Sequence, residues 1–218
     1  MTFPVVFDLD GTQVDSAPDI HAAVNRMLET ESLPPLDLPT VISFIGHGLP
    51  RLVMRVMAAR DIPGDQHPRL TRLTKGFYDA SPSNLTLPYP GVVAALQALR
   101  AEGHPLGICT NKPGDSALAV LGDLGLLPYF ASVVGGDRLP VAKPDPAMLH
   151  LCLTELGSPG TAIYIGDSEV DAATSVAAEV PFILFTEGFR HTPAGELPST
   201  ATFNDFGQLP ALIRTLAA

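Results

Sequence analysis

Five short apolar runs of β-forming residues divide this chain unevenly, and their spacing constrains the fold more than any other feature. They fall at residues 4–7, 105–109, 132–134, 162–165 and 182–185. Helical patterns fill the later gaps: Ala117, Leu118, Leu121 and Leu124; then Met148, Leu151, Cys152 and Leu156; then Val170, Ala173, Val176 and Ala177. Strands alternating with helices imply parallel pairing, because each helix carries the chain back to the starting end of the next strand. The expected fold class is therefore α/β, a doubly wound parallel sheet of Rossmann-like type. Nearly a hundred residues separate the first run from the second, far more than one crossover helix needs.

The excess is helical. Ser16-Ala17-Pro18-Asp19 has the form of a capping box with an early proline. Ile20, Ala23, Val24, Met27 and Leu28 follow at the spacing of one helix face. Leu49, Leu52, Val53, Val56 and Met57 make a second such stripe, and Leu70, Leu73 and Phe77 a weaker third. Proline-rich breaks at Leu33-Pro34-Pro35 and from Ser81-Pro82 to Pro88-Tyr89-Pro90 bound the segment. A chain of 218 residues has room for one good core and a small accessory unit. The expected organisation is an α/β core of residues 1–15 and 86–218 carrying a small helical cap at 16–85.

Charge narrows the partners. The chain carries a formal net charge of −10 and no Lys/Arg cluster that could track a phosphate backbone, which argues against nucleic acid. No apolar run is long enough to cross a bilayer, and Met1-Thr2-Phe3-Pro4 lacks a charged leader, so no membrane partner is expected. Cys109 and Cys152 sit in apolar segments and read as core thiols, from which a cytoplasmic location is expected; the expected assembly is a monomer or homodimer, between which the sequence does not choose. Residues 16–85 hold seven acidic and seven basic side chains, whereas the remainder holds 16 acidic and six basic ones. An acidic body facing a neutral insert suits a cation-dependent site that closes over an anionic substrate.

The chemistry gathers where the strands end. Val5-Val6-Phe7 runs into Asp8-Leu9-Asp10-Gly11-Thr12. Residues i and i+2 of a strand share a face, so the two acids would lie side by side if the strand continued. Gly11 lets the chain break there and offers the Leu9 and Gly11 amides to an anion. In an open parallel sheet, ligands bind beyond the carboxyl ends of the strands. The residues following the later runs should therefore converge on these acids: Thr110 and Asn111, then Gly166-Asp167-Ser168 with Asp171 one helical turn on. Lys143 joins them from the segment before the fourth run's helix. Oxygen-only ligation selects a hard cation such as Mg2+; His21, His47, His67, His104, His150 and His191 form no ligand-spaced pair for a softer metal. The lysine, hydroxyl and amides suit a tetrahedral oxyanion. A covalent aspartyl-phosphate would split the very high barrier of phosphomonoester hydrolysis in two.

Asp-Leu-Asp-Gly-Thr, the strand-terminal Thr110, Lys143 before a proline and Gly-Asp-x-x-x-Asp, in that order from Asp8 to Asp171, resemble the four motifs of the haloacid dehalogenase superfamily of phosphohydrolases. The resemblance implies Asp8 as nucleophile, and Asp10 as general acid/base that also lends its backbone carbonyl to Mg2+. Thr110 and Lys143 would hold the phosphoryl group. Asp167 would ligate the metal, with Asp171 behind it. Cys109-Thr110-Asn111-Lys112-Pro113 and Phe44-Ile45-Gly46-His47-Gly48 are most similar to the phosphoglycolate phosphatases. That likeness implies substrate contacts from Gly46, His47 and Gly48, with Arg51 and Arg55, one turn apart, able to meet a substrate carboxylate; the alternatives are a helix-entry turn for the glycines, a polar cap residue at His47 and a solvated helix face for the two arginines. Gln13 stands where an aliphatic residue is usual, His47 where Asn is often found, and Glu169 adds an acid inside the fourth motif. The tail from Thr186 to Phe206 matches poorly. The implied activity is Mg2+-dependent hydrolysis of a small phosphorylated metabolite, with 2-phosphoglycolate favoured. The alternatives are a phosphatase for sugar phosphates or nucleotide monophosphates, and a phosphomutase of β-phosphoglucomutase type. A non-catalytic binding protein on the same fold would show a missing motif residue, and all are present.

Overall fold

The computed structural model describes residues 2–80, 83–157 and 161–216. In chain order its elements are β1 (Val5–Phe7), β2 (Val14–Asp15), α1 (Ala17–Thr30), α2 (Leu38–Ile42), α3 (Leu49–Ala59) and α4 (His67–Asp79). There follow β3 (Leu87–Pro88), α5 (Val92–Ala101), β4 (Leu106–Cys109), α6 (Gly114–Asp123), β5 (Ser132–Val134) and α7 (Ala147–Glu155). The chain ends through β6 (Ile163–Gly166), α8 (Glu169–Ala178), β7 (Phe182–Phe185), β8 (Ala201–Phe203) and α9 (Leu209–Leu216). Six strands form a parallel sheet in the order β5-β4-β1-β6-β7-β8. The chain lays β4 and β5 on one side of β1, then crosses back to place β6 on the other. The switch point lies at β1, where an open sheet leaves a crevice. No described helix is long and apolar enough to cross a membrane.

Strand alternation sorts the core into two layers. Val5, Phe7, Leu106, Ile108, Ile163, Ile165, Ile183 and Phe185 face one side, where they meet Leu96 and Leu99 of α5, Val120 and Leu121 of α6 and Ile213 of α9. Val6, Cys109, Tyr164, Phe182 and Leu184 face the other, against Met148 and Cys152 of α7 and Ala172 of α8. Cys109 and Cys152 are free, buried thiols. Two helix faces differ from the sequence reading. On α6, Ala117, Val120 and Leu121 turn inward and Leu118 is exposed. On α8, Val176 is 61% exposed, while Asp171, Thr174 and Ser175 are buried. Asp171 must face the sheet end, and that requirement rotates the helix away from its most apolar face. The sixth strand, β8, and the helices α5 and α9 were not anticipated.

Helices α1 to α4 have a separate hydrophobic cluster of their own, built on Val24, Met27, Leu28, Val53, Val56 and Leu70. α4 packs against both α1 and α3. The two chain segments leading into and out of this insert pair as an antiparallel β2–β3 ribbon, Val14 opposite Pro88 and Asp15 opposite Leu87. The expected capping box at Ser16 does not form: Ser16 makes no side-chain cap, and its hydroxyl donates to Asp10 Oδ1 at 2.6 Å. Asp19 instead accepts hydrogen bonds from Leu85 N, Thr86 N and the Thr86 hydroxyl, the last two at 2.7 and 2.6 Å. Both polar residues of the apparent cap therefore tie the insert to its surroundings. The Ser81-Pro82 part of the second proline-rich break lies outside the described residues.

Gln13 departs from hydrogen-bonding economy. It is fully buried; its backbone is paired, N–H to Leu9 O and O to Tyr89 N–H, but neither atom of its side-chain amide meets a hydrogen-bond partner among the described residues. A buried polar group left unpaired costs about 1–3 kcal/mol. Gln13→Met, which reaches as far without the amide, should raise stability by about 1–2 kcal/mol in urea unfolding; a lower unfolding midpoint would show that the amide is satisfied in solution.

Candidate active site

β1 ends at Phe7 because the next residues fold into a tight turn. The Leu9 carbonyl accepts from the N–H groups of Thr12, Gln13 and Val14 at 3.3, 2.9 and 3.1 Å. Gly11 has φ +85°, and a Cβ there would lie 2.5 Å from Asp167 Oδ2, so no larger residue fits. The turn separates the two acids, which do not share a strand face. Asp8 turns toward Lys143 and Asp10 toward Ser16 and Lys112. The Gly11 amide donates to Val14 O at 2.9 Å, so its work is to hold the turn rather than to offer a free donor.

Around Asp8 the structure gathers three carboxylates and one ammonium. Lys143 Nζ, almost fully buried, lies 2.9 Å from Asp8 Oδ1 and 2.7 Å from Asp171 Oδ1. It also donates to the Tyr164 hydroxyl at 2.8 Å. Asp171 is wholly occupied. Its Oδ1 accepts from Lys143 and Tyr164, and its Oδ2 from the Ser168 hydroxyl at 2.7 Å and the Ser168 N–H at 3.1 Å, closing the capping box of α8. Asp167 accepts from the Thr12 hydroxyl and the Phe189 N–H, each at 2.7 Å. One oxygen each of Asp8, Asp167 and Asp171 lie within 4.8 Å of one another, all in buried residues.

One ammonium cannot balance that field. Burial raises the Asp8 carboxyl to about 7, even with Lys143 pulling against it. Burial, with Asp171 and Asp8 adding repulsion, lifts Asp167 well above the ordinary carboxylate range. Burial also opposes ionisation of Asp171, but the adjoining Lys143 ammonium holds its carboxyl below the usual value. Asp8 Oδ1, though ion-paired, receives no aligned hydrogen bond from the described residues. Clustered, incompletely satisfied carboxylate oxygens with no nitrogen or sulfur donor fit a hard divalent cation of the Mg2+ type.

A cavity opens beside these acids and runs under the insert. Asp8, Asp10 and Thr110 line its floor, and Ile20, Leu49 and Tyr78 its roof. Thr110, buried at the end of β4, is positioned by its own N–H to Val134 O at 3.0 Å. Gly46 and Gly48 also line the cavity. Asn111 does too, but its amide is taken: it donates to Gly46 O and Lys143 O, each at 3.1 Å, and accepts from Lys143 N–H at 2.9 Å. It staples the insert loop to the lysine segment.

Arg51 and Arg55 do not line the cavity. Arg51 is exposed, and Arg55 donates to Ser43 O at 3.2 Å, bracing the loop before α3. Both lie close enough to half-buried His47 that, after burial itself, their charges hold its imidazole below the usual value. Glu169 grips the loop beyond β7 through the amides of His191, at 2.7 Å, and Thr192.

Sequence reasoning missed Lys112 and Tyr78. Lys112 is buried, donates to Asp10 Oδ1 and Oδ2 at 2.8 and 3.1 Å, and sits 4.4 Å from the centre of the Tyr78 ring of α4. The signal was its place two residues after Thr110.

Comparison with known proteins agrees with this geometry. A model of the haloacid dehalogenase-like hydrolase family matches residues 5–185. The phosphoglycolate phosphatase of Cereibacter sphaeroides (strain ATCC 17029) is 50% identical over 217 residues, covering 98% of this chain and 99% of the relative. That of Rhodobacter capsulatus is 44% identical over 211 residues, 96% and 95% of the two chains. The crystal structure of a predicted phosphoglycolate phosphatase from Haemophilus somnus 129pt superposes with a TM-score of 0.90 at 28% identity, over 96% of this chain and 97% of that one. Six parallel strands, acids at the strand ends and a full-length match to these relatives lead to one conclusion: the chain belongs to the haloacid dehalogenase-like hydrolase family.

Proposed function

We propose that this protein is a Mg2+-dependent phosphomonoester hydrolase that works through an aspartyl-phosphate on Asp8, with 2-phosphoglycolate as its substrate. The observation that carries the chemistry is the buried group of Asp8, Asp167, Asp171 and Lys143, which reaches through Asp8 the floor of a cavity also lined by Asp10 and Thr110. The substrate rests on the relatives named phosphoglycolate phosphatase that match nearly the whole chain.

In this reading Lys143, the Thr110 hydroxyl and the Leu9 amide bind the non-bridging oxygens of the phosphoryl group and offset charge as it develops. Asp8, lying against Lys143, attacks phosphorus as the ester P–O bond breaks. Asp10 gives its proton to the departing oxygen, then takes one from the water that hydrolyses the aspartyl-phosphate. Asp8, Asp167 and the Asp10 backbone carbonyl would hold Mg2+, with Asp171 fixing Lys143 and Ser168 behind them; the ion supplies positive charge that one lysine cannot provide. The insert of residues 16–85 serves as a cap over the core of 1–15 and 86–218, excluding bulk water from the reacting groups. Gly46 and Gly48 place its loop over the site, and His47, Arg51 and Arg55 form the polar rim outside it.

The deciding assay is phosphate release with Mg2+ on 2-phosphoglycolate, hexose phosphates, nucleotide monophosphates and p-nitrophenyl phosphate. A clear kcat/KM preference for 2-phosphoglycolate is expected; broad weak turnover would remove the named substrate. Asp8→Asn should cut turnover on the order of 10⁴-fold or more without lowering Tm, since it removes a buried charge from a crowded acidic group. Retained activity would move the nucleophile elsewhere. EDTA should silence the enzyme and Mg2+ restore it, and Mg2+ alone should raise Tm by binding the folded state; a Tm indifferent to Mg2+ would take the ion out of the account.

A further inference from the structure

The Lys112–Asp10 pair has no place in the chemistry above, yet it is one of three buried ion pairs among the described residues of the site. Ser16 Oγ and Lys112 Nζ converge on Asp10 Oδ1 at 2.6 and 2.8 Å, and Lys112 reaches Oδ2 at 3.1 Å. Three contacts from two directions fix both the position and the plane of that carboxylate. The ammonium is itself located from the insert: it lies 4.4 Å from the centre of the Tyr78 ring, and Tyr78 lines the same cavity. An ammonium over an aromatic face is attracted by the ring quadrupole, more strongly where water is excluded. A buried lysine bridging a core acid and a cap ring carries a positional message. Asp10 is fully braced only when α4 is seated on the core.

We propose that Lys112 is a positioning residue that aims Asp10 at the leaving-group oxygen, with Tyr78 of the insert holding Lys112 in place. The proposal rests on the assignment of Asp10 as the proton donor. Lys112 makes and breaks no bond: with Asp10 entering the step as the carboxylic acid, the P–O bond to Asp8 forms, the ester P–O bond breaks, and the proton passes from Asp10 to the departing oxygen. The lysine only keeps the carboxyl in line, and small losses of alignment are costly in such transfers.

Proton donation matters when the leaving group is a strongly basic alkoxide and little when it is nitrophenolate. The experiment measures kcat/KM, which reports the steps through leaving-group departure. It compares wild type and Lys112→Met on 2-phosphoglycolate, 2-hydroxyethyl phosphate and p-nitrophenyl phosphate. The expected loss is about 10²-fold on both alkyl phosphates and less than about tenfold on p-nitrophenyl phosphate. Equal losses on all three would overturn the proposal in favour of a general structural role. A loss confined to 2-phosphoglycolate would overturn it in favour of direct contact with the substrate carboxylate. Wild-type protein inert toward every ester would strike the phosphatase reading itself, a separate result. Should Lys112→Met fail to fold, Tyr78→Leu must shift the same selectivity in the same direction, and by more than Tyr78→Phe, which keeps the ring. No shift in Tyr78→Leu overturns the link to the insert.

Discussion

Everything at the carboxyl end of this sheet depends on the Lys143 ammonium. It is almost entirely out of water and touches Asp8, Asp171 and Tyr164 at once. Burial works against its charge, but the Asp171 and Asp8 carboxylates more than compensate and hold it firmly protonated. Without that charge, three buried acids would face each other at close range, and a buried charge with no partner is far costlier than a paired one. Lys143 makes the cluster tolerable, and the charge left over is what a metal can use. Stability and chemistry thus rest on the same imbalance.

The site divides its acids by partner. Asp8 belongs with Lys143, and Asp10 with Lys112, although only Leu9 separates them in the chain. The turn at Gly11 produces this separation by ending the strand between Phe7 and the acids and sending their side chains apart. Asn111 then joins the two halves of the surroundings, reaching the insert at Gly46 and the lysine segment at Lys143. On the proposed roles, nucleophile and proton donor are held independently and cannot displace each other.

The α/β class, the long insert and the acids at strand ends were legible because each has a local signature: apolar runs, helical stripes and a carboxylate where a strand stops. What escaped was set by distant partners. Ser16 and Asp19 had the form of a cap, but Asp10, Leu85 and Thr86 claim their side chains. The face of α8 departs from its apolar stripe because Asp171 outranks Val176 for the inward position. Arg51 and Arg55 have the spacing to read a carboxylate; what the fold adds is that Arg55 reaches Ser43 O and that both stand near His47. β8 was overlooked because its three residues bury only Phe203 well and carry no strong alternation. Lys112 was in plain view, and only the fold reveals that it answers Asp10.

The clip made by Asp19 has a mechanical consequence. The two connections between insert and core run side by side as a short ribbon, and Asp19 fastens the outgoing strand to the first turn of α1. Two strands laced together cannot swivel independently, so twisting about either one is blocked by the other. What is left is a bend of the ribbon as a whole, like a strap hinge with a single axis. A joint of this kind leaves one soft coordinate where two free linkers would give many, which favours a single bending direction of the helical insert over the strand ends.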